Sequence, residues 1–326
     1  MANKNLTNAR KNKKDEFYTM LTDIEKELKH YKSQFKDKIV YCNCDDPEES
    51  EFWKFFELNF EEYGLKKLIS THYDAEKPTY KLELTGDHNG DGKVTSKDIV
   101  KTPLKQNGDF RSEESIELLK EADIVVTNPP FSLFLDYVQQ LIKYNKNFII
   151  MGNNNSCPAL IEQFKNKKIR LGYSSNKTLE FRMPDTYESD TKDSFGNKIG
   201  KVPAISWFTS FNVNNKETLL LTKEYNNTLH PKCDNYNAIY IDRLQNMPYD
   251  YKDAMAVPIT ILKYLDKDYL INCEANGKTL KYKILGATYS SDKSIEVERL
   301  RTNLKYRHSP LINGKEKYKK ILIALN

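Results

Sequence analysis

Cysteine is scarce: 326 residues hold five, at 42, 44, 157, 233 and 273, and no two are spaced Cys-x-x-Cys. An odd count with that spacing excludes a disulfide framework and a structural zinc site, and fits a reduced compartment. Long apolar runs are missing too. The longest, 123–127 and 147–152, are strand-length and far short of a membrane span. Residues 1–14 are polar and basic with no apolar segment, so no secretory signal is read and a cytoplasmic protein with no membrane partner is expected. The histidines, at 30, 72, 88, 230 and 308, have no metal-ligand spacing, and no metal is assigned. Neither a Ser-His-Asp arrangement nor a Walker-type phosphate loop is present. Internal repeats and low-complexity tracts are absent as well.

What is present is core-forming material. Hydrophobic residues make up 39% of the chain, with 21 Tyr, 15 Phe and 2 Trp, which argues against global disorder. The net charge is only +5, but it is unevenly spread. Residues 1–14 carry five basic and no acidic side chains, 15–226 carry 29 basic and 35 acidic, and 227–326 carry 17 basic and 11 acidic. An acidic body between two basic ends suits contact with a polyanion away from the body's own chemistry. Solvated lysine is the plain alternative.

Through the first two-thirds, strand and helix patterns alternate. Residues 38–44, 66–72, 123–127 and 147–152 read as strands. Helices are expected from Ser50 through Phe60, stopped by Gly64, and over 112–122 and 132–144. That alternation predicts an open parallel sheet with helices on both faces, its chemistry gathered at the carboxyl ends of the strands. Residues 185–201 read as a long mobile loop, 204–211 and 218–222 as strands, and a boundary is placed near 226.

The informative stretch is Asn128, Pro129, Pro130 and Phe131, between a valine-rich strand and a helix. Two prolines fix φ and remove two backbone donors, leaving carbonyls facing outward. The Asn128 amide oxygen is a further acceptor. Two fixed acceptors at a strand end can hold an exocyclic amino group, and Phe131 offers a flat face for a ring. A plain strand-to-helix turn is the alternative reading.

This Asn-Pro-Pro-Phe resembles the catalytic motif of S-adenosylmethionine-dependent amino methyltransferases. With Asp-Glu-Phe-Tyr-Thr at 15–19, Val-Tyr-Cys-Asn-Cys-Asp-Asp-Pro at 40–47, Gly-Asp-Phe-Arg-Ser at 108–112 and Ala-Ile-Ser-Trp-Phe-Thr at 204–209, the chain is similar to the EcoRI-type adenine DNA methyltransferases. The blocks keep the family's order over roughly 8–225. The resemblance implies a Rossmann-like class I methyltransferase sheet over 15–225 behind a basic tail at 1–14. It further implies a mixed α/β target-recognition region at 226–326. The implied reaction moves a methyl group from S-adenosylmethionine to N6 of adenine in double-stranded DNA, by base flipping, at a site with an AATT core. RNA adenine or protein glutamine is the competing substrate, because the same tetrapeptide holds any planar amino group. A non-catalytic nucleic-acid-binding or calcium-binding module is the alternative of a different class, and the oligomeric state is open, with a monomer favoured.

Each block adds candidates. Asp45, Asp46 and Pro47 follow the first strand, where acidic groups in place of a glycine-rich loop suit the ammonium or ribose hydroxyls of a sulfonium cofactor; a capped helix start is the alternative. Asp74 follows the second strand and is a candidate for the ribose. Asp109 and Phe110 occupy the family's adenine slot, Asp109 accepting from the amino group and Phe110 packing on the ring. Phe17, Tyr18 and Thr19 look like the segment closing over the cofactor, or a helix start. One of Trp207 and Phe208 is expected as the second wall around the target base, opposite Phe131; alternation along a strand does not say which.

Two segments lie outside that core. Residues 87–98, Asp-His-Asn-Gly-Asp-Gly-Lys-Val-Thr-Ser-Lys-Asp, fit a calcium loop at positions 1, 3, 5, 6 and 12, yet have Asp at 12 and a strand before them in place of a helix; a plain turn is preferred. Arg299, Arg301, Lys305 and Arg307, interleaved with Leu300, Leu304 and Tyr306, are the expected phosphate contacts, with sequence reading expected from 185–201 and the region after 226.

Overall fold

The structure is a computed structural model, and it describes residues 18–44, 46–74, 79–183, 191–194, 196–214, 217–288 and 309–326. Among the named candidates, Phe17, Asp45, Arg299, Arg301, Lys305 and Arg307 lie outside the described residues, as do 185–190 and 195 of the expected loop.

Two compact units are present: one ends its first stretch at Asn153 and resumes over Gly172–Phe211, the other comprises Asn154–Leu171 and Asn212–Asn326. The division between these units falls at 211/212, and Leu219–Leu220 pairs with the second unit's sheet.

In the first unit, strand β1 (Tyr18–Thr19) leads into helix α1 (Leu21–Leu28). Next come β2 (Ile39–Cys42), α2 (Glu51–Leu58), β3 (Lys67–Thr71), β4 (Tyr80–Leu84) and β5 (Val100–Pro103). The chain continues as α3 (Glu113–Glu121), β6 (Ile124–Thr127), α4 (Phe134–Lys143) and β7 (Asn147–Asn153). The second unit contributes α5 (Ile161–Lys165) and β8 (Arg170–Leu171) before β9 (Lys177–Arg182) and β10 (Ile199–Thr209) complete the first.

Local chemistry explains the helix starts. Ser50 Oγ accepts from the Phe52 amide at 3.1 Å to open α2, whose Phe52, Trp53, Phe55 and Phe56 are all buried. Ser112 Oγ accepts from the Ser115 amide at 3.3 Å to open α3, with Glu113 and Glu114 in its first turn where the helix dipole favours them.

The sheet runs β1-β9-β10-β7-β6-β2-β3-β4-β5. Its centre, β7-β6-β2-β3, is parallel, as the alternation predicts. Both flanks are antiparallel, which it does not predict. Residues 72–79 between β3 and β4 are too few for the crossover that a parallel neighbour needs, so β4 returns as a hairpin. On the other flank the expected loop over 185–201 gives up its end: β10 already begins at Ile199, and Lys192 bridges to Lys198. The chain leaves β2 toward β3 on one side and returns to β6 on the other, so the strand order reverses between β2 and β6.

The second unit's six-stranded sheet is ordered β11-β14-β15-β18-β13-β12. Its strands are β11 (Leu219–Leu220), β12 (Ile239–Tyr240), β13 (Met255–Val257), β14 (Ile271–Ala275), β15 (Lys278–Ala287) and β18 (Ile321–Leu325), with a separate β16 (Leu311–Ile312) and β17 (Lys315–Glu316) ribbon. Asn276-Gly277 and Asn313-Gly314, all at positive φ, make the two hairpin turns. Mixed α/β structure is the expectation after 226; among the described residues there, strands and short 3-10 turns account for the regular structure, and α5 of the same unit comes from the 154–171 segment.

Candidate active site

β6 is buried along its whole length and ends at Thr127. The chain then turns through Asn128, 5% exposed, and buried Pro129 into half-buried Pro130 and Phe131. The Pro130 carbonyl accepts from the Leu133 amide at 2.9 Å, and the Leu133 carbonyl accepts from Tyr137 at 2.9 Å to open α4. The turn is thus braced from within, at the carboxyl edge of the parallel strands. The Phe131 ring stands edge-on to Phe181 of β9, with centroids 6.4 Å apart.

Beside this turn opens a pocket of about 130 Å³. Asn43 and Cys44 after β2, Tyr73 after β3, residues 108–111 before α3, and Pro130, Ser132 and Leu133 before α4 line it. Loops from three neighbouring parallel strands therefore meet where the strand order reverses, the usual ligand position of an open α/β sheet.

Glycine is required at 108. Its φ is +77°, and a Cβ there would lie 1.9 Å from the His72 carbonyl oxygen. Phe110, 5% exposed, is held by an edge contact to Tyr137 with centroids 5.0 Å apart, and its carbonyl accepts from Gln140 Nε2 at 2.8 Å. Asp109 lines the pocket, but Arg111 engages both carboxylate oxygens, Nε to Oδ1 at 2.8 Å and Nη2 to Oδ2 at 2.6 Å. These bonds hold the Asp109 carboxyl below the usual range. Asn43 is 3% exposed; its Oδ1 accepts from the Tyr137 hydroxyl, while its buried Nδ2 finds no acceptor among the described residues.

The other candidates are distributed differently. Asp46 closes the turn before α2: its Oδ1 accepts from the Glu48 amide at 2.9 Å, and its carbonyl accepts from the Glu49 and Ser50 amides at 3.0 and 2.6 Å. Pro47 is buried in that turn. Asp74, half-buried, donates its amide to the Asn107 carbonyl at 3.0 Å and so ties the end of β3 to the loop carrying Gly108. Tyr18 and Thr19 form an edge strand against Arg182 and Phe181, and the Thr19 hydroxyl reaches Met151 Sδ at 3.7 Å. Among the described residues, none of these five is a wall of the pocket.

Trp207 and Phe208 are both buried, at 1% and 0% exposed. Phe208 packs on Phe134 and Trp207 lies edge-on to Phe52. Ile150 pairs with both Thr127 and Phe208, and Met151 pairs with Trp207, which puts Trp207 one row nearer to Asn128. Trp207 also borders a second cavity of about 700 Å³ with Lys26, Lys177 and Lys201.

Sequence reasoning missed Asn43, Tyr73, Arg111 and Phe181. Tyr73 had a signal, since it directly follows the strand read at 66–72, and Asn43 and Arg111 stand inside the blocks at 40–47 and 108–112; Phe181 had none beyond residue type.

The family model described as adenine-specific methyltransferase EcoRI matches residues 5–325. The chain belongs to this family. It is 43% identical over 278 residues to the type II methyltransferase M.EcoRI of Escherichia coli, covering 80% of this chain and 85% of that protein. It is 39% identical over 281 residues to the type II methyltransferase M.MgeORF184P of Mycoplasma genitalium, covering 82% and 86%. With M.MpnI of Mycoplasma pneumoniae it shares 38% over 281 residues, covering 82% and 85%. No solved structure matches the chain.

Two further observations bear on this methyltransferase. In its 87–98 loop, the oxygens a cation would use accept the loop's own amides. Asp87 takes Gly90 and Gly92 at 2.6 and 2.8 Å, Asn89 takes Asp91 at 2.8 Å, and Asp91 takes Lys93 at 3.0 Å. Asp98 takes His88, Asn89 and Thr95 at 2.9, 3.1 and 2.8 Å. Among the described residues, no helix is long and apolar enough to cross a membrane.

Proposed function

We propose that this methyltransferase transfers a methyl group from S-adenosylmethionine to the N6 amino group of adenine in double-stranded DNA, with the Rossmann-like half of the sheet as its catalytic core. The observation that carries the reading is the adjacency of the Asn128–Phe131 turn and the pocket built from three strand ends. The pocket's residues fit the cofactor: an aromatic floor at Phe110, an exposed Tyr73 at its rim, and a buried amide donor at Asn43.

Bound there, S-adenosylmethionine supplies an electrophilic methyl group on sulfur. The remaining work falls to the chain. Asn128 Oδ1 and the Pro129 carbonyl would hold the target amino group and draw its lone pair out of conjugation, so that nitrogen attacks the methyl carbon in line as the carbon–sulfur bond breaks with its electron pair left on sulfur, and the surplus proton then passes to water. Phe131 stacks the ring, with Trp207 the nearer second wall by row. The base must first leave the duplex, at a cost of about a few kcal/mol in stacking and pairing. No general base needs to be assigned. Asp109 fixes the 108–112 loop through Arg111, and Asp46 and Asp74 support the strand-end loops.

Target recognition is assigned to 185–201 and the region after 226, with an AATT core as the expected site. Electrostatic holding of DNA is assigned to Arg299, Arg301, Lys305, Arg307 and the tail before Asp15. The resident compartment is the cytoplasm, and the working form is a monomer.

Labelled methyl transfer onto duplex DNA with and without AATT, onto RNA and onto protein tests the proposal. Labelling of AATT duplex at N6 of adenine is expected; transfer to RNA or protein alone refutes it.

A further inference from the structure

We infer that Asn43 is a cofactor-binding residue whose Nδ2 donates to a hydrogen-bond acceptor on the adenosine half of S-adenosylmethionine, with Tyr137 as the residue that positions it. The inference rests on reading the pocket as the cofactor's.

Asn43 leaves β2 at its carboxyl end, is 3% exposed and lines the pocket. A side-chain amide has a donor end and an acceptor end, and its neighbours decide which faces a ligand. Here the Tyr137 hydroxyl donates to Oδ1, which leaves Nδ2 as the end able to serve a ligand. That nitrogen is buried and has no acceptor among the described residues. Burying an amide donor unpaired is costly, and such groups are rare in folded interiors. A ligand acceptor at the pocket wall removes the cost.

Location selects the adenosine half. Tyr137, which holds Asn43, is also the ring packed against Phe110, and Phe110 lines the same pocket. A wall containing Phe110 and Tyr73 suits a flat base. The Pro130, Ser132 and Leu133 side adjoins Asn128 and suits the sulfur and its methyl group. Adenosine offers ring nitrogens and ribose oxygens as neutral acceptors; the amino-acid arm offers a carboxylate.

The test is calorimetry with two probes, S-adenosylhomocysteine and 5′-methylthioadenosine, which share the adenosine and differ in the amino-acid arm. Asn43→Asp keeps the shape and Oδ1 but replaces the donor with a second acceptor. It is expected to weaken both probes by the same factor, at least ~10-fold, on the scale of losing one buried hydrogen bond. Tyr137→Phe, which leaves Asn43 itself intact, is expected to weaken both by a smaller factor, roughly 3-fold. Melting temperature checks that each variant folds. Unchanged affinities in both variants overturn the inference. A loss confined to S-adenosylhomocysteine overturns it by moving the acceptor to the amino-acid arm. Tighter binding by Asn43→Asp overturns it by showing that oxygen faces the ligand. A wild-type protein that binds neither probe refutes the underlying pocket reading instead, so the two failures are distinguishable.

Discussion

Phe131 and Phe181 meet at right angles, with ring planes 90° apart and centroids separated by 6.4 Å. Phe181 is fully buried on β9 and paired with Thr19, while Phe131 is half-buried in the turn after Asn128. An edge contact of this kind contributes about 0.5–1.5 kcal/mol and fixes the plane of the more exposed ring. Phe181→Leu keeps an apolar side chain there but removes the edge. Methyl transfer is expected to slow roughly 10-fold, on the scale of that contact, with cofactor affinity unchanged by calorimetry. An unaltered rate in the folded variant separates Phe181 from the site.

Asn128→Ala removes an acceptor from the target amino group and leaves the pocket walls in place. Single-turnover methyl transfer is expected to fall at least ~100-fold, the scale of losing one preorganised polar contact, while duplex and cofactor binding persist. Near-normal turnover removes Asn128 from catalysis.

Lys320 gives the second unit a pH signature. It is 3% exposed, and its amine donates to the carbonyls of Ile241 at 2.7 Å and Asp242 at 3.3 Å. Burial pulls its pKa from 10.5 down to about 8. Below the folded value both states are protonated and the cost of burying the charge is present in full. Between the two values the unfolded chain holds a proton that the folded one has released. Stability therefore rises with pH across that window, by at most about 1.4 kcal/mol per unit. Lys320→Met lacks this dependence. In urea unfolding, wild type is expected to gain on the variant between pH 7 and pH 9.5; a constant gap means that Lys320 titrates normally.

The 87–98 loop closes on its own amides, so chelation should leave it intact. EDTA is expected to change neither the melting temperature nor the methylation rate. Asp98→Ala, which orphans three amides, is expected to lower the melting temperature with or without EDTA. A loss of several degrees on chelation, restored by calcium, identifies a metal site instead.

Arg299→Gln with Arg307→Gln tests where DNA is held. Weaker binding to specific and non-specific duplexes alike is expected, and the salt slope should shrink by about one unit for each phosphate no longer neutralised. Cofactor affinity without DNA should not move. Normal binding with an unchanged slope transfers the DNA-facing role to 185–201.

How much of this was legible depends on whether the signal was local. The strands at β2, β3, β6 and β7 are short apolar runs with turns at their ends, and Ser50 and Ser112 mark their helices by side-chain capping; all of these are written within a few residues. The Asn-Pro-Pro-Phe turn is local as well. Pairing direction is not: β9 and β10 lie antiparallel because of what each meets across the sheet, and their own residues carry no mark of it. The pocket behaves similarly. Asp109 was legible as an acidic residue in a loop, but its capture by Arg111 depends on a two-residue turn geometry that composition does not encode. Asn43 became informative only when Tyr137, 94 positions away, was seen to occupy its oxygen.

The interruption of the first unit by residues 154–171 has a consequence for synthesis. Strands β9 and β10 complete its sheet, and β1, at residues 18 and 19, has its partner at 181 and 182. A nascent chain that has emerged as far as Asn153 therefore carries the parallel centre with β7 as an open edge and β1 without a partner. Neither unit can finish before the other has begun, because each holds a piece lying between or beyond the other's segments. An open apolar edge at that stage is a template for pairing with another chain. Folding of the first unit on the ribosome should then wait until residue 211 has cleared, and the second unit's sheet, whose last strand is Ile321–Leu325, should close later still.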